Sequence, residues 1–189
     1  MGEHHSLREI VVSGRECGGC TACCKTLRIA ELKKFAGVLC QHCTEGAGCQ
    51  IYDDRPSVCR GYNCGWKRLQ FLGDEWRPDR CGILIGLVEK GEGIPAGFPP
   101  AGLKFDIMDS PRVLNWYPLV GLISREIERG MPVFLGIPTP VGYERRMVFL
   151  NHLLADAVKS HDRTLVVKGL KAVYERALSE ATKEKTTFD

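Results

Sequence analysis

No run of apolar residues in this 189-residue chain approaches the roughly 20 that a helix needs to cross a bilayer, which argues against an integral membrane protein. The opening segment, MGEHHSLREIVVSGREC, also lacks the apolar stretch of about 7 to 15 residues that a secretory signal requires, so the expected setting is the cytoplasm. Neither sign of charge is in large surplus. The 26 Lys and Arg against 23 Asp and Glu leave +3, too mild by itself to mark a nucleic-acid or anionic-membrane surface. There is no internal repeat, no low-complexity tract, and no strand running into a Gly-rich turn that would cradle a nucleotide or S-adenosylmethionine. Gly91-Glu92-Gly93 stands in a Pro/Gly loop instead. No Ser-His-Asp grouping stands out, and His152 and His161 lie off a common helical face. With 26% charged and 44% hydrophobic residues, the composition is that of a globular protein and not of a disordered chain.

Cysteine is scarce outside one window. Nine of the ten cysteines fall between Cys17 and Cys64, and only Cys81 is left for the remaining 141 residues. A chain of this length buries roughly 70% of its unfolded surface and does not need covalent staples. In a reducing compartment such a cluster points to metal. Ten is an even number, so the competing reading is five disulfides. Cys81, isolated from the rest, reads as a small buried apolar residue.

The expected fold class is α+β, a single domain over 1–189. It has a cysteine-rich metal-binding region at 17–81, packed on a small mixed sheet with two or three helices at 82–189. Residues 1–16 read as a polar arm ending in a strand at Glu9 to Ser13. Gly82 to Glu89 is a buried strand, and residues 91–102, with four Gly and three Pro, form a loop. Leu103 to Met108 and Arg112 to Tyr117 read as two strands joined at Asp109-Ser110-Pro111. Pro118 opens a helix with Leu119, Leu122, Ile123 and Ile127 on one stripe, stopped by Gly130. Val133 to Ile137 is a further strand, cut by Pro138 and Pro140. Val166, Leu170, Val173 and Ala177 mark an amphipathic C-terminal helix.

The chemistry sits in Cys17-Gly-Gly-Cys20-Thr-Ala-Cys23-Cys24. Two residues between cysteines allow both sulfurs to aim at one ion, with small residues turning backbone N–H groups toward the thiolates. On a helix, Cys17, Cys20 and Cys24 would share a face. In a loop, Cys17, Cys20 and Cys23 match the C-x2-C-x2-C run that holds iron-sulfur clusters. Either way, Cys23 and Cys24 serve different metals or one of them is free. Cys40, Cys43, Cys49, Cys59 and Cys64 supply further sulfurs, enough with the first four for two tetrahedral centres or a bridged pair. His42 reads as an outer-shell group beside the ligands. Arg55 and Arg60 are suited to offset thiolate charge or to pair with Asp53 and Asp54, and Tyr52, Tyr62 and Trp66 are suited to roof the site.

These residues carry a resemblance. The CxxCxxCC run, the later CQIYDDRPSVCRGYNCGW and EWRPDR make roughly residues 15–82 resemble the YkgJ-type cysteine-cluster family, described as zinc- or iron-chelating domains. The resemblance implies ligand roles for Cys17, Cys20, Cys23, Cys24, Cys49 and Cys59, with Cys40 at the usual preceding position. Cys43 and Cys64 go beyond the general pattern and imply a subgroup with extra ligands. Some relatives that methylate flagellin lysines share the run, but their enzymatic region is not visible here.

Three functions compete. The first is a metal-binding protein holding zinc or an iron-sulfur cluster, in one or two centres, with the metal ion as its partner. The second is an iron-sulfur redox or protein-modifying enzyme, and the third a zinc-dependent nucleic-acid or protein-binding module. Arg60, Lys67, Arg68, Arg77 and Arg80 tint the block basic, but Asp53, Asp54, Asp74, Glu75 and Asp79 interrupt any phosphate-tracking stripe, which argues against nucleic acid.

Overall fold

The computed structural model describes residues 11–188. The chain is a mixed α+β fold whose first half is made of turns and very short elements. Helix α1 (Ala22–Thr26) is followed by a two-stranded hairpin of β1 (Cys43–Thr44) and β2 (Gly48–Cys49). Then come three one-turn helices, α2 (Ser57–Arg60), α3 (Gly65–Arg68) and α4 (Pro78–Cys81). Glycine and proline recur through this half and interrupt longer helical or extended runs.

The second half is built around one four-stranded mixed sheet. Strands β3 (Ile83–Glu89) and β4 (Ala101–Ile107) are antiparallel, β4 and β5 (Val133–Ile137) are parallel, and β5 and β6 (Arg146–Phe149) are antiparallel. A parallel pair needs a crossover, and helix α5 (Tyr117–Glu128) provides it between β4 and β5. Helices α6 (Asn151–Lys159) and α7 (Arg163–Ser179) complete the layer. One sheet face, carrying Ile83, Ile85, Leu103, Phe105, Ile107, Leu135 and Ile137, packs against Leu119, Ile123, Leu154 and Leu170 of these helices. Trp66, Leu72 and Trp76 of the cysteine-rich half enter the same core, so the two halves share buried apolar surface.

The strands at Ile83–Glu89 and Val133–Ile137 and the helix after Trp116 stand as expected. Four details differ. Glu9 and Ile10 of the expected first strand lie outside the described residues, and Val11 to Ser13 form no strand, with Val12 N–H donating to Lys67 O at 2.7 Å. Arg112 to Tyr117 is not a strand either. Ser110 Oγ accepts from Arg112 N–H and Pro111 fixes the next turn, so Pro111–Asn115 winds into a 3-10 helix that runs into α5. Strand β4 begins at Ala101, inside the expected loop. Finally, β6 and α6 were not expected from the sequence. Asn151 joins them to the sheet, accepting from Val133 N–H and donating to Met131 O, both at 2.8 Å.

Near the start of the described chain, Arg15 ties down the segment after α3. Its guanidinium donates to the carbonyls of Trp66, Leu69, Gln70 and Leu72, and it lies 5.3 Å from the Trp66 ring centroid.

Candidate metal centre

The first cysteine run adopts both geometries its spacing allows. Cys17 to Cys20 is a tight turn, closed by Cys20 N–H donating to Cys17 O at 2.9 Å, and Gly18 takes a positive φ of 50°. Helix α1 begins two residues later and carries Cys23 and Cys24. Consecutive helical residues point about 100° apart, so these two thiols diverge, while their sulfurs remain 3.9 Å from each other.

The hairpin brings the next pair. Cys43 and Cys49 face each other in register across β1 and β2, Cys43 N–H donates to Cys40 O at 2.9 Å, and Cys40 N–H donates to Cys24 O at 3.2 Å. The hairpin and the first cysteine turn interlock through backbone alone. A side chain at Gly19 would place its first carbon 2.3 Å from Gly46 O, and one at Gly48, whose φ is +84°, would lie 2.3 Å from Gly18 O. Cys59 comes from α2, and Cys64 stands at the N-terminal edge of α3.

Two adjoining cavities collect these sulfurs. A cavity of about 90 Å³ is lined by Cys17, Cys20, Cys23, Cys24, Cys40, Cys49 and Cys59 together with His42, and its lining contains no Asp or Glu. Cys43 reaches the same group through a side-chain contact with Cys24. A second cavity, of about 30 Å³, is lined by Cys17, Cys20, Cys23 and Cys64. Cys17, Cys20 and Cys23 thus line both cavities, Cys64 only the smaller, and Cys24, Cys40, Cys49 and Cys59 only the larger, with Cys43 joined to that group through Cys24. Cys23 and Cys24 meet at the join. All ten cysteines are free thiols, so the five-disulfide reading does not describe this structure. Among the described residues, however, no group of three or more His, Cys, Asp or Glu side chains is gathered closely enough to hold a metal ion as it stands. The sulfurs ring the cavities without closing on one point.

Burial and neighbouring thiols shift several of these cysteines. The contact between the Cys23 and Cys24 thiols lowers the Cys24 thiol to about 6 and raises Cys23. Burial raises Cys20, Cys43, Cys59 and Cys64. Neighbouring thiolates push further on Cys43, Cys59 and Cys64, because each added anion penalises the next.

Of the expected outer-shell residues, His42, Tyr52 and Arg55 line the cysteine cavity. Arg55 lies 3.5 Å from the Tyr52 ring centroid and favours the Cys24 and Cys59 thiolates. Arg60 does not reach this cavity. It is exposed, donates to Arg55 O at 2.6 Å and lines a neighbouring cleft. Tyr62 lines both cysteine cavities, whereas Trp66 is buried in the core and touches only the smaller one. Cys81 is half-buried against the core and not fully buried as expected; its thiol donates to Trp76 O and Ile83 O.

Sequence reasoning missed Lys34. It is 7% exposed, and its ammonium donates to the carbonyls of Lys25, Leu27 and Phe35. Burial lowers its pKa, while Cys40, Cys24, Cys23 and Cys43 favour its charge. A buried lysine beside a cluster of sulfurs is a built-in counter-ion. Nothing in the local sequence AELKKFAG marks it, since lysine is ordinarily solvated.

Comparison with known proteins identifies no relative: no family model matches the chain, and neither a curated protein nor a solved structure is significantly similar to it. The resemblance to the YkgJ-type family rests on the quoted motifs alone.

Proposed function

We propose that this is a metal-binding protein whose clustered cysteines hold zinc or an iron-sulfur cluster, in two adjacent centres. The observation that carries the reading is the convergence of eight unpaired thiols on two adjoining cavities, with a ninth, Cys43, in contact with Cys24. The donor set fits a thiophilic metal: sulfur with one imidazole nearby and no carboxylate in the larger cavity, a combination that disfavours calcium and magnesium. Cys17, Cys20, Cys23 and Cys64 would hold one group, and the other would be held by four or five of Cys24, Cys40, Cys43, Cys49 and Cys59. Bound metal supplies the positive charge that lets these thiols give up their protons together.

The chain's own residues do the rest. Lys34 and Arg55 offset the remaining negative charge, and Tyr62 and the Gly18–Gly19 turn shield the sulfurs. Closing the ring of sulfurs around an ion requires side-chain rotation between staggered wells, with Cys23 and Cys24 turning apart. Family membership and a cytoplasmic setting, in which ten thiols stay reduced, belong to this proposal. Among the described residues no helix is long and apolar enough to cross a membrane.

One observation keeps the iron-sulfur enzyme as a second reading. Cys17, Cys20 and Cys23 in a C-x2-C-x2-C run, with a distant fourth sulfur from Cys64, is the ligation pattern of a cubane. Anaerobic purification, elemental analysis and a visible spectrum test both. Bound zinc in a colourless protein selects the first reading, and iron with sulfide and a redox-sensitive visible band selects the second. Protein that purifies without metal and takes up neither zinc nor iron on reconstitution contradicts both.

A further inference from the structure

The sheet face opposite the helices is only partly covered. Where the Ser57–Asn63 segment leans over it, a cleft of about 970 Å³ remains, near the upper end of the size range for small-molecule sites. Its lining is unequal in charge. Arg60 and Arg68 come from the cysteine-rich half, Lys104 from β4 and Arg145 from the turn before β6, whereas Glu92 is the one carboxylate on the wall.

Asp106, 1% exposed on the same sheet face, lies behind two of these cations. It stands 3.1 Å from Lys104 Nζ and 3.4 Å from Arg145 Nη2, so it fixes both in place yet offsets only one charge. Gly136 on β5 leaves the space this carboxylate occupies: a side chain there would begin 1.9 Å from Asp106 Oδ1. Arg60 is exposed, bonded to a main-chain carbonyl, and adds charge at the rim. Between the cations the walls are apolar, formed by Val58, Leu87, Val88 and Met147, with Tyr62 at the end.

We propose that this cleft binds a small organic anion, its carboxylate, sulfonate or phosphate group held among Arg60, Lys104 and Arg145 and its apolar part laid along Val58, Leu87 and Met147. Inorganic anions are too small to use the apolar walls, and a neutral ligand would leave unmatched the excess of Arg60, Lys104 and Arg145 over Asp106. Tyr62 lines the cleft and both cysteine cavities, so a bound anion lies one side chain away from the sulfurs. The cleft is thereby placed to hold a substrate or an effector of that centre. The binding site itself stands on its own charge and shape and needs no metal.

The test is a fluorescence titration of the full chain with two probes of matched shape, anilinonaphthalene sulfonate and the neutral N-phenyl-naphthylamine. The sulfonate is expected to bind saturably at one site, at least about tenfold more tightly than the neutral probe and more weakly as salt rises. Arg60→Glu is expected to weaken the sulfonate about tenfold and to leave the neutral probe unchanged; Arg60→Gln should fall between. Equal binding of the two probes, no saturable site, or sulfonate binding indifferent to Arg60→Glu would each overturn the proposal. The wild-type comparison of probes decides even if a variant misfolds.

Discussion

Lys34 illustrates how a single buried charge is held. Its three carbonyl partners are Lys25 in the last turn of α1, Leu27 just beyond it and Phe35, so the ammonium closes a loop that would otherwise bury unpaired acceptors. Lys34→Met keeps the volume and removes the donor. It should destabilise the chain by about 1 to 3 kcal/mol in urea unfolding, and it should also weaken metal retention in a competition with chelator. A stability loss with metal affinity unchanged would make Lys34 purely structural. Cys81 gives a pH signature. Burial pushes its thiol up to about 11, while an unfolded chain ionises it near an ordinary value of about 8.5. The unfolded state therefore releases its proton first. The stabilising contribution is complete below about pH 8.5 and is lost as pH rises toward 11. Denaturation midpoints across that window should fall less steeply in Cys81→Ala than in the parent, and parallel curves would contradict this.

At the scale of elements, the site depends on two backbone segments touching without side chains between them. Gly48→Ala adds a carbon where the chain is left-handed and 2.3 Å from a carbonyl, so it should cost about 1 to 3 kcal/mol and separate the hairpin from the Cys17 turn. The check is metal stoichiometry together with thermal melting; full retention of both would show that the hairpin tolerates displacement. The same dependence predicts a divided response to chelation. Amide exchange should accelerate across residues 17–81, where helices are one turn long, and stay slow in β3, β4, β5 and α5, whose side chains fill the core. Uniform protection before and after chelation would contradict it. The sequence makes the long elements legible because their apolar residues repeat at strand or helix spacing, as in Ile83 to Glu89 and along Leu119, Leu122 and Ile123. It hides β6, a four-residue strand that opens on Arg146 directly after Arg145. It also misstates Arg112 to Tyr117, where a capping serine and a proline override β-branched and aromatic preference.

For the molecule as a whole, the spacing of cysteines announces that a cluster exists but not how it divides. The placement of the sulfurs follows from which segments touch: α3 brings Cys64 to the first turn, while the hairpin carries Cys43 and Cys49 toward Cys24. These are contacts between distant parts of the chain, and no local pattern records them. The cleft was hidden for the same reason, since Arg60, Lys104 and Arg145 become neighbours only when the cysteine-rich half folds over the sheet. The most direct measurement is X-ray absorption at the metal edge of anaerobically prepared protein, with the metal-to-chain ratio determined on the same sample. The account predicts more than one metal atom per chain in a sulfur-dominated shell at about 2.3 Å. A shell of nitrogen and oxygen alone, or a chain that takes up no metal with its thiols reduced, would contradict it.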